Sequence, residues 1–302
     1  MPLRRDQDSR PTSLVRLPST CWSGLLAACF FLLAGSGCAR LAINPMIDSV
    51  NRALERQDDL QLVLDGAPSL LLVLDGFIAD DPDNPRLLLQ GAKSYASYAG
   101  ILDEKGEHAR AVRLSGKGKD YGLRLLRRQS CLADDWPETL ADLDRSLAAC
   151  RGEDVTPLFW AGLAWGTWIG MQEGSPASMV ELPWVVRIMG RVVELDESYY
   201  HGGAHLFLGM YHASRPPALG GRPALSRDHF ETALALAERR FLLAQVWYAE
   251  TYARTTMDRD LFEKLLTEVL ARPPDPTPEL ATANQLAAHK ARKLLDEVEH
   301  YF

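Results

Sequence analysis

His201, His205 and His212 stand at offsets 0, 4 and 11, which on an ideal helix brings their directions within roughly 40° of one another. Three imidazoles on one stripe form a donor set suited to zinc. The spacing argues against one shared ion. Gly202-Gly203 reads as a helix start, which leaves His201 outside it, and His212 then lies ~10 Å beyond His205 along the axis. These histidines are read as packing or cavity-lining residues, and neither a metal ligand nor a cofactor is assigned. His229, beside Phe230-Glu231, reads as part of a solvated or capping face. The other candidate is Gly116-Lys117-Gly118-Lys119. A phosphate-cradling loop needs Ser or Thr after the lysine and a glycine upstream, and neither Gly-Lys step has them. The sequence contains no His-Glu-x-x-His, Gly-x-Ser-x-Gly or Cys-x-x-Cys, so no catalytic residue is assigned and the chain is read as non-enzymatic.

Cys38 has the clearest covalent chemistry. Arg4, Arg5, Arg10 and Arg16 precede an uncharged run from Leu25 to Ala34, which is far short of the ~20 apolar residues that span a bilayer as a helix. Gly35-Ser36-Gly37 then leads into Cys38, the pattern of a bacterial lipobox with Gly where Leu, Val or Ile is usual. Small residues let a processing protease close on the backbone, and two or more acyl chains on the cysteine anchor stably where one anchors marginally. Residues 1–37 are read as a lipoprotein signal and 38–302 as a single domain. Cys21 and Cys29 belong to the signal, leaving Cys131 and Cys150 to pair in an oxidising compartment or to stay as buried free thiols. The whole chain carries a net charge of −7, and the signal holds four Arg and two Asp. The remainder is therefore more acidic still, which argues against nucleic acid or an anionic membrane surface as partner.

The elements that must position these residues are helices. Ala, Leu, Arg and Glu dominate long stretches and no sustained alternation of apolar and polar residues occurs. Helices are expected over 44–56, 68–78, 85–99, 108–127, 138–149, 157–170, 177–195, 203–213, 224–237, 241–255, 259–270 and 279–299. Breaks fall at Asp80 through Pro85, Pro216 through Pro223 and Pro273 through Pro276, where an N-cap residue and Pro stop one helix and start another.

A small residue followed three positions later by a ring recurs at Ala92/Tyr95, Gly162/Trp165, Gly209/His212 and Ala249/Tyr252. The steps between these pairs are 70, 47 and 40 residues, against a tetratricopeptide (TPR) period of about 34. The expected fold is all-α: a TPR-like array of antiparallel helix hairpins forming a curved right-handed superhelix with a concave side. Rings on the first helices of the pairs would face that side. Tyr95, Trp165, Trp168, His205, His212, Tyr248 and Tyr252 are the candidate ligand-binding residues, suited to an apolar or amphipathic ligand or a partner helix.

With those residues in hand, the chain resembles the TatT family, the T-components of tripartite ATP-independent periplasmic (TRAP) transporters. The resemblance rests on Cys38, on Gly116 through Leu123, on Gly202-Gly203-Ala204-His205-Leu206-Phe207-Leu208-Gly209, and on Leu219-Gly220-Gly221-Arg222-Pro223 continuing into Asp228-His229-Phe230-Glu231. It implies a TPR-like lipoprotein facing the periplasm, a homotrimer, and association with a TRAP-type substrate-binding protein. It also implies a hydrophobic small-molecule ligand taken up in a cavity open to that partner. The competing reading is a TPR scaffold lipoprotein that binds proteins during envelope assembly. Ala39, in place of the aspartate that retains many lipoproteins at the inner membrane, leans toward the outer membrane. Palmitate labelling in cells is expected for the native chain and not for Cys38→Ser.

Overall fold

The structure is a computed structural model in which residues 45–133, 136–172, 174–214, 220–273 and 277–302 are described. Cys38, the signal and Ala39 lie outside those residues, as do residues 216–219 and 274–276 of the two later proline breaks. The chain divides into a unit of residues 1–49, whose described part (45–49) is helical, and a unit of Val50–Phe302.

Within the second unit every described element is helical. After helical residues 50–55 come α1 (Leu60–Asp80), α2 (Pro85–Glu104), α3 (His108–Leu126), α4 (Leu140–Ala149), α5 (Val155–Gly170) and α6 (Leu182–Asp196). They are followed by α7 (Tyr199–Ala213), α8 (Pro223–Leu236), α9 (Leu243–Trp247), α10 (Arg259–Ala271) and α11 (Ala281–Asp296). Short helical turns occupy Ser130–Ala133, Pro176–Met179 and Val298–Tyr301.

Most starts obey local chemistry. Asn84 accepts a hydrogen bond from the Arg86 amide with Pro85 at the first turn of α2, and Thr139 forms a reciprocal capping box with Asp142 on α4. Asp258 caps α10 through the Leu261 amide. The expected start at Pro68 is corrected. α1 begins eight residues earlier, where Asp59 caps it through the Leu62 amide, and Pro68 sits inside the helix. The apolar run on both sides outweighs one missing backbone donor. The expected helix over 241–255 is also refined, since α9 passes into a π-helical turn at Tyr248–Ala253.

Neighbouring helices pair as hairpins, α2 with α3, α7 with α8 and α10 with α11. Apolar on nearly every side, α5 is the hub, packing against α2, α3, α6 and α7. Around it lies one core cluster containing Phe159, Ile188 and Met189. A second, built on Phe230, Tyr248 and Phe262, fills the space among α8 to α11. Tyr200 packs against both. At the far end α11 returns to the start of the unit. Thr282 donates to the Gln57 carbonyl at 2.7 Å, Arg56 pairs with Glu279, and Lys290 reaches Glu104 at 2.8 Å.

Cys131 and Cys150 are joined in a disulfide, with Cα atoms 5.1 Å apart, which settles the alternative left by their spacing. Closing that loop in the unfolded chain is worth about 3 kcal/mol in the chain-entropy treatment.

α3 meets α5 so closely that a Cβ on Gly122 would lie 3.0 Å from the Ala161 Cα. Gly122→Val is expected to destabilise the protein by about 1–3 kcal/mol through overpacking. Gly100 on α2, where a Cβ would meet nothing within 4 Å, should by contrast gain about 0.5–1 kcal/mol as Ala. Urea midpoints of the two variants test the pair.

Candidate functional site

The residues that carry charge and aromatic surface gather along the seams between helices. On α1, Asp75 accepts hydrogen bonds from Tyr95 Oη on α2 and Tyr121 Oη on α3, each at 2.7 Å. Lys117 Nζ completes the set with an ion pair. Burial alone would raise the Asp75 pKa, but Lys117 and the two phenols more than reverse this and hold it below its ordinary 3.8. The same burial and the same carboxylate push both tyrosines up. α1 is otherwise long and apolar enough to cross a membrane, with 17% of its most apolar stretch buried and Leu62, Leu72 and Val73 exposed. Asp75 is the polar tie that holds it to α2 and α3.

Two residues along α3, on the other side of the helix, Lys119 enters an aromatic frame. Its ammonium lies 3.5 Å from the Trp168 ring centroid and 5.6 Å from that of Trp165, and it pairs with Glu181. Trp165 Nε1 donates to the same carboxylate, and Trp184 stands beyond at 6.5 Å. An ammonium held at an aromatic face and partly removed from water gains about 0.5–2 kcal/mol.

The third group lies between α7 and α8. These helices touch through small residues: a Cβ on Gly202 would meet the Ala233 Cα at 3.0 Å, and one on Gly209 the Phe230 ring at 3.0 Å. Ser226 donates to the Gly209 carbonyl at 2.8 Å, fully buried, and the Arg222 amide donates to the His212 carbonyl at 3.0 Å. The approach brings His205 Nδ1 within 2.8 Å of His229 Nδ1, and the His212 ring stacks on His229 at 5.7 Å and 5°. His205 is 7% exposed. Its Nε2 is buried without a hydrogen-bond partner, 3.6 Å from Glu197 Oε2. Burial lowers the His205 pKa, with Glu197 in opposition. Burial and repulsion from His205 and His212 lower that of His229 to about 4.

The fourth group pairs Tyr248 with Tyr252 at 5.3 Å. Tyr248 is fully buried, stacks on Phe230 at 4.7 Å and donates to Glu231 at 3.1 Å. Near it on α11, Lys290 is mostly buried between Glu104 and Glu250. Burial works against its charge, but the two carboxylates leave its pKa above the ordinary lysine value.

The seven candidate ligand residues thus fall into four groups: Tyr95, Trp165 with Trp168, His205 with His212, and Tyr248 with Tyr252. Tyr95, Trp165, His205 and Tyr248 are buried, whereas Trp168, His212 and Tyr252 are half-buried and keep part of their ring surface open. His201 stacks on Phe241 at 5.1 Å, apart from the other histidines. His229 is corrected from a solvated or capping residue to the partner of His205, because α8 closes on α7 at glycine. Sequence reasoning also passed over Asp75, Lys119, Glu181 and Lys290. For Lys119 a signal exists in Gly116-Lys117-Gly118-Lys119, which marks the stretch but does not announce an aromatic partner.

The sequence model of the TRAP transporter T-component family matches residues 56–302. A protein of Treponema pallidum (strain Nichols), described as an uncharacterized protein, is similar at 23% identity over 272 residues, covering 83% of each chain.

Replacing Asp75 by Ala leaves three donors without their acceptor and is expected to cost about 1–3 kcal/mol in urea unfolding. Because the folded pKa of Asp75 is depressed, its contribution is complete above the unfolded value and is lost as pH falls through the folded one. Asp75→Asn should therefore flatten the loss of stability on the acid side of pH 4, read from melts at stepped pH.

Proposed function

The chain belongs to the TRAP transporter T-component family, and from that membership we propose a non-enzymatic accessory that binds or channels a hydrophobic organic ligand together with the system's substrate-binding protein. The family match over residues 56–302 carries this reading. A transport-component family supports an envelope location and a role without catalysis. The finer picture is a lipoprotein held through Cys38, facing the periplasm with the outer membrane favoured by Ala39, and working as a homotrimer. The charged groups are engaged in ion pairs at Asp75–Lys117, Lys119–Glu181 and Lys290–Glu104. Rings make up the rest of the candidate surface, which supports an apolar ligand over a strongly ionic one. Trp168, His212 and Tyr252 are the positions at which such a ligand would find ring surface; the buried Tyr95, Trp165, His205 and Tyr248 would support them from behind.

Detergent-solubilised chain mixed with the organism's TRAP-type substrate-binding protein should give a complex by light scattering. It should also carry an apolar organic molecule detectable by mass spectrometry, depleted in the Trp168→Ala variant. No association, with and without periplasmic extract, would sink the proposal.

A further inference from the structure

Two imidazoles from different helices, His205 on α7 and His229 on α8, aim Nδ1 atoms at each other across 2.8 Å. One of these nitrogens must carry a shared proton for the contact to hold, because two bare lone pairs repel. The other ring nitrogen of His205 is buried, unpaired and 3.6 Å from a glutamate oxygen. If Nε2 carries its proton toward Glu197, His205 Nδ1 is bare and His229 supplies the shared proton. Replacing that single proton by a cation leaves a histidine with one nitrogen on a metal and the other N–H directed at a carboxylate. That is the arrangement by which proteins fix the tautomer of a ligating histidine and raise its basicity.

We propose that the α7–α8 seam is a binding site for one divalent transition-metal ion of the zinc or copper type, held by His205 Nδ1 and His229 Nδ1, with Glu197 orienting His205. Tetrahedral coordination at about 2.0–2.1 Å needs the two nitrogens about 3.3 Å apart, so the pair has to open by about half an ångström. Neutral imidazole is the form that ligates. Imidazole donors select zinc, copper or nickel over magnesium and calcium. His212, stacked on His229, fixes the plane of the second ligand. Water has to supply the remaining coordination positions, since Glu197 lies on the opposite, Nε2 side of the His205 ring. The spacing objection to a shared ion applied to His201, His205 and His212 on one helix. It does not reach a site whose second ligand comes from the facing helix. This proposal does not rest on the organic-ligand reading above, although it shares His205 and His212 with that candidate surface.

The test is calorimetric titration of the untagged chain with Zn2+ at neutral pH, paired with electron paramagnetic resonance of the Cu2+ form. One ion per chain is expected, with hyperfine coupling to two imidazole nitrogens. His205→Ala and His229→Ala should lose saturable binding, while His289→Ala, outside the cluster, keeps it. Glu197→Gln alters a side chain that is mostly in solvent and should fold normally, yet weaken affinity 10–100-fold, the usual cost of losing an outer-shell carboxylate. Thermal melts without metal identify any variant that fails to fold. The proposal is overturned if the native chain shows no saturable binding, if copper shows no imidazole coupling, or if Glu197→Gln and the histidine variants bind like the native chain.

Discussion

Helix axes in this protein approach each other at small residues, and the rest of the structure follows from that constraint. An α-helix without a side chain at one position leaves a notch, and a partner can bring either its backbone or a ring into it. Both uses occur. At Gly122 the partner is backbone, the Cα of Ala161. At Gly91 it is the Tyr121 ring, at Gly203 the Phe159 ring and at Gly209 the Phe230 ring. The ring that fills each notch therefore comes from a neighbouring helix, not from the residue three positions along the same one. Dense interiors do not tolerate an added methyl at such points without displacement, so these glycines set the spacing of successive hairpins.

Close spacing has an electrostatic consequence. Side chains that flank a notch are drawn together in a seam with little water, where an unmatched charge is expensive and a matched one gains from the low dielectric. Each seam resolves this differently. Between α1 and its neighbours a single carboxylate, Asp75, serves three donors. Between α3 and α5 an ammonium is shared by a carboxylate and an indole face. Between α7 and α8 the groups are imidazoles that share a hydrogen bond, with one carboxylate at the edge. The polar residues of the candidate site are in this sense products of the packing, since each is matched by a group that only the neighbouring helix supplies.

That origin explains what was legible in the sequence. Helix boundaries were, because caps and prolines act within a few residues: Asn84-Pro85 and Asp258 start helices where their local chemistry says they should. The four steps from a small residue to a ring were also legible, and their small residues are buried, with neighbouring side chains close against Gly162 and Gly209. Pro68 misled because a breaker signal was weighed without the apolar run on both sides of it. The pairing of Cys131 with Cys150 was open because spacing alone carries no distance. The partners across seams were invisible for the same reason. Nothing near Lys119 in the chain announces Trp168 or Glu181, and nothing near His205 announces His229, because those meetings depend on helix crossings of long sequence separation. The histidine stripe was read along one helix, and the facing helix decided its chemistry.

The kink that opens α7 shows how far packing can override local preference. Tyr200, His201 and Gly202 are all left-handed, with φ of 47°, 60° and 73°. For two residues with side chains this costs roughly 1–2 kcal/mol each. Gly202 escapes that penalty and also lets the backbone pass Ala233. Tyr200 is compensated by its ring, which contacts Trp160 at 4.6 Å, Phe159 at 5.5 Å and Phe241 at 6.0 Å. Aromatic pairs of this kind contribute about 0.5–1.5 kcal/mol each beyond burial, enough to offset the strain at both residues. The regular part of α7 then begins at Gly203, and its phase relative to α8 is set by the kink. His205, Gly209 and His212 follow the kink on one face of the regular helix, the face that meets α8. The strain at Tyr200 and His201 is thus held in place by the aromatic contacts of Tyr200, which packs against both cores just ahead of the histidine seam.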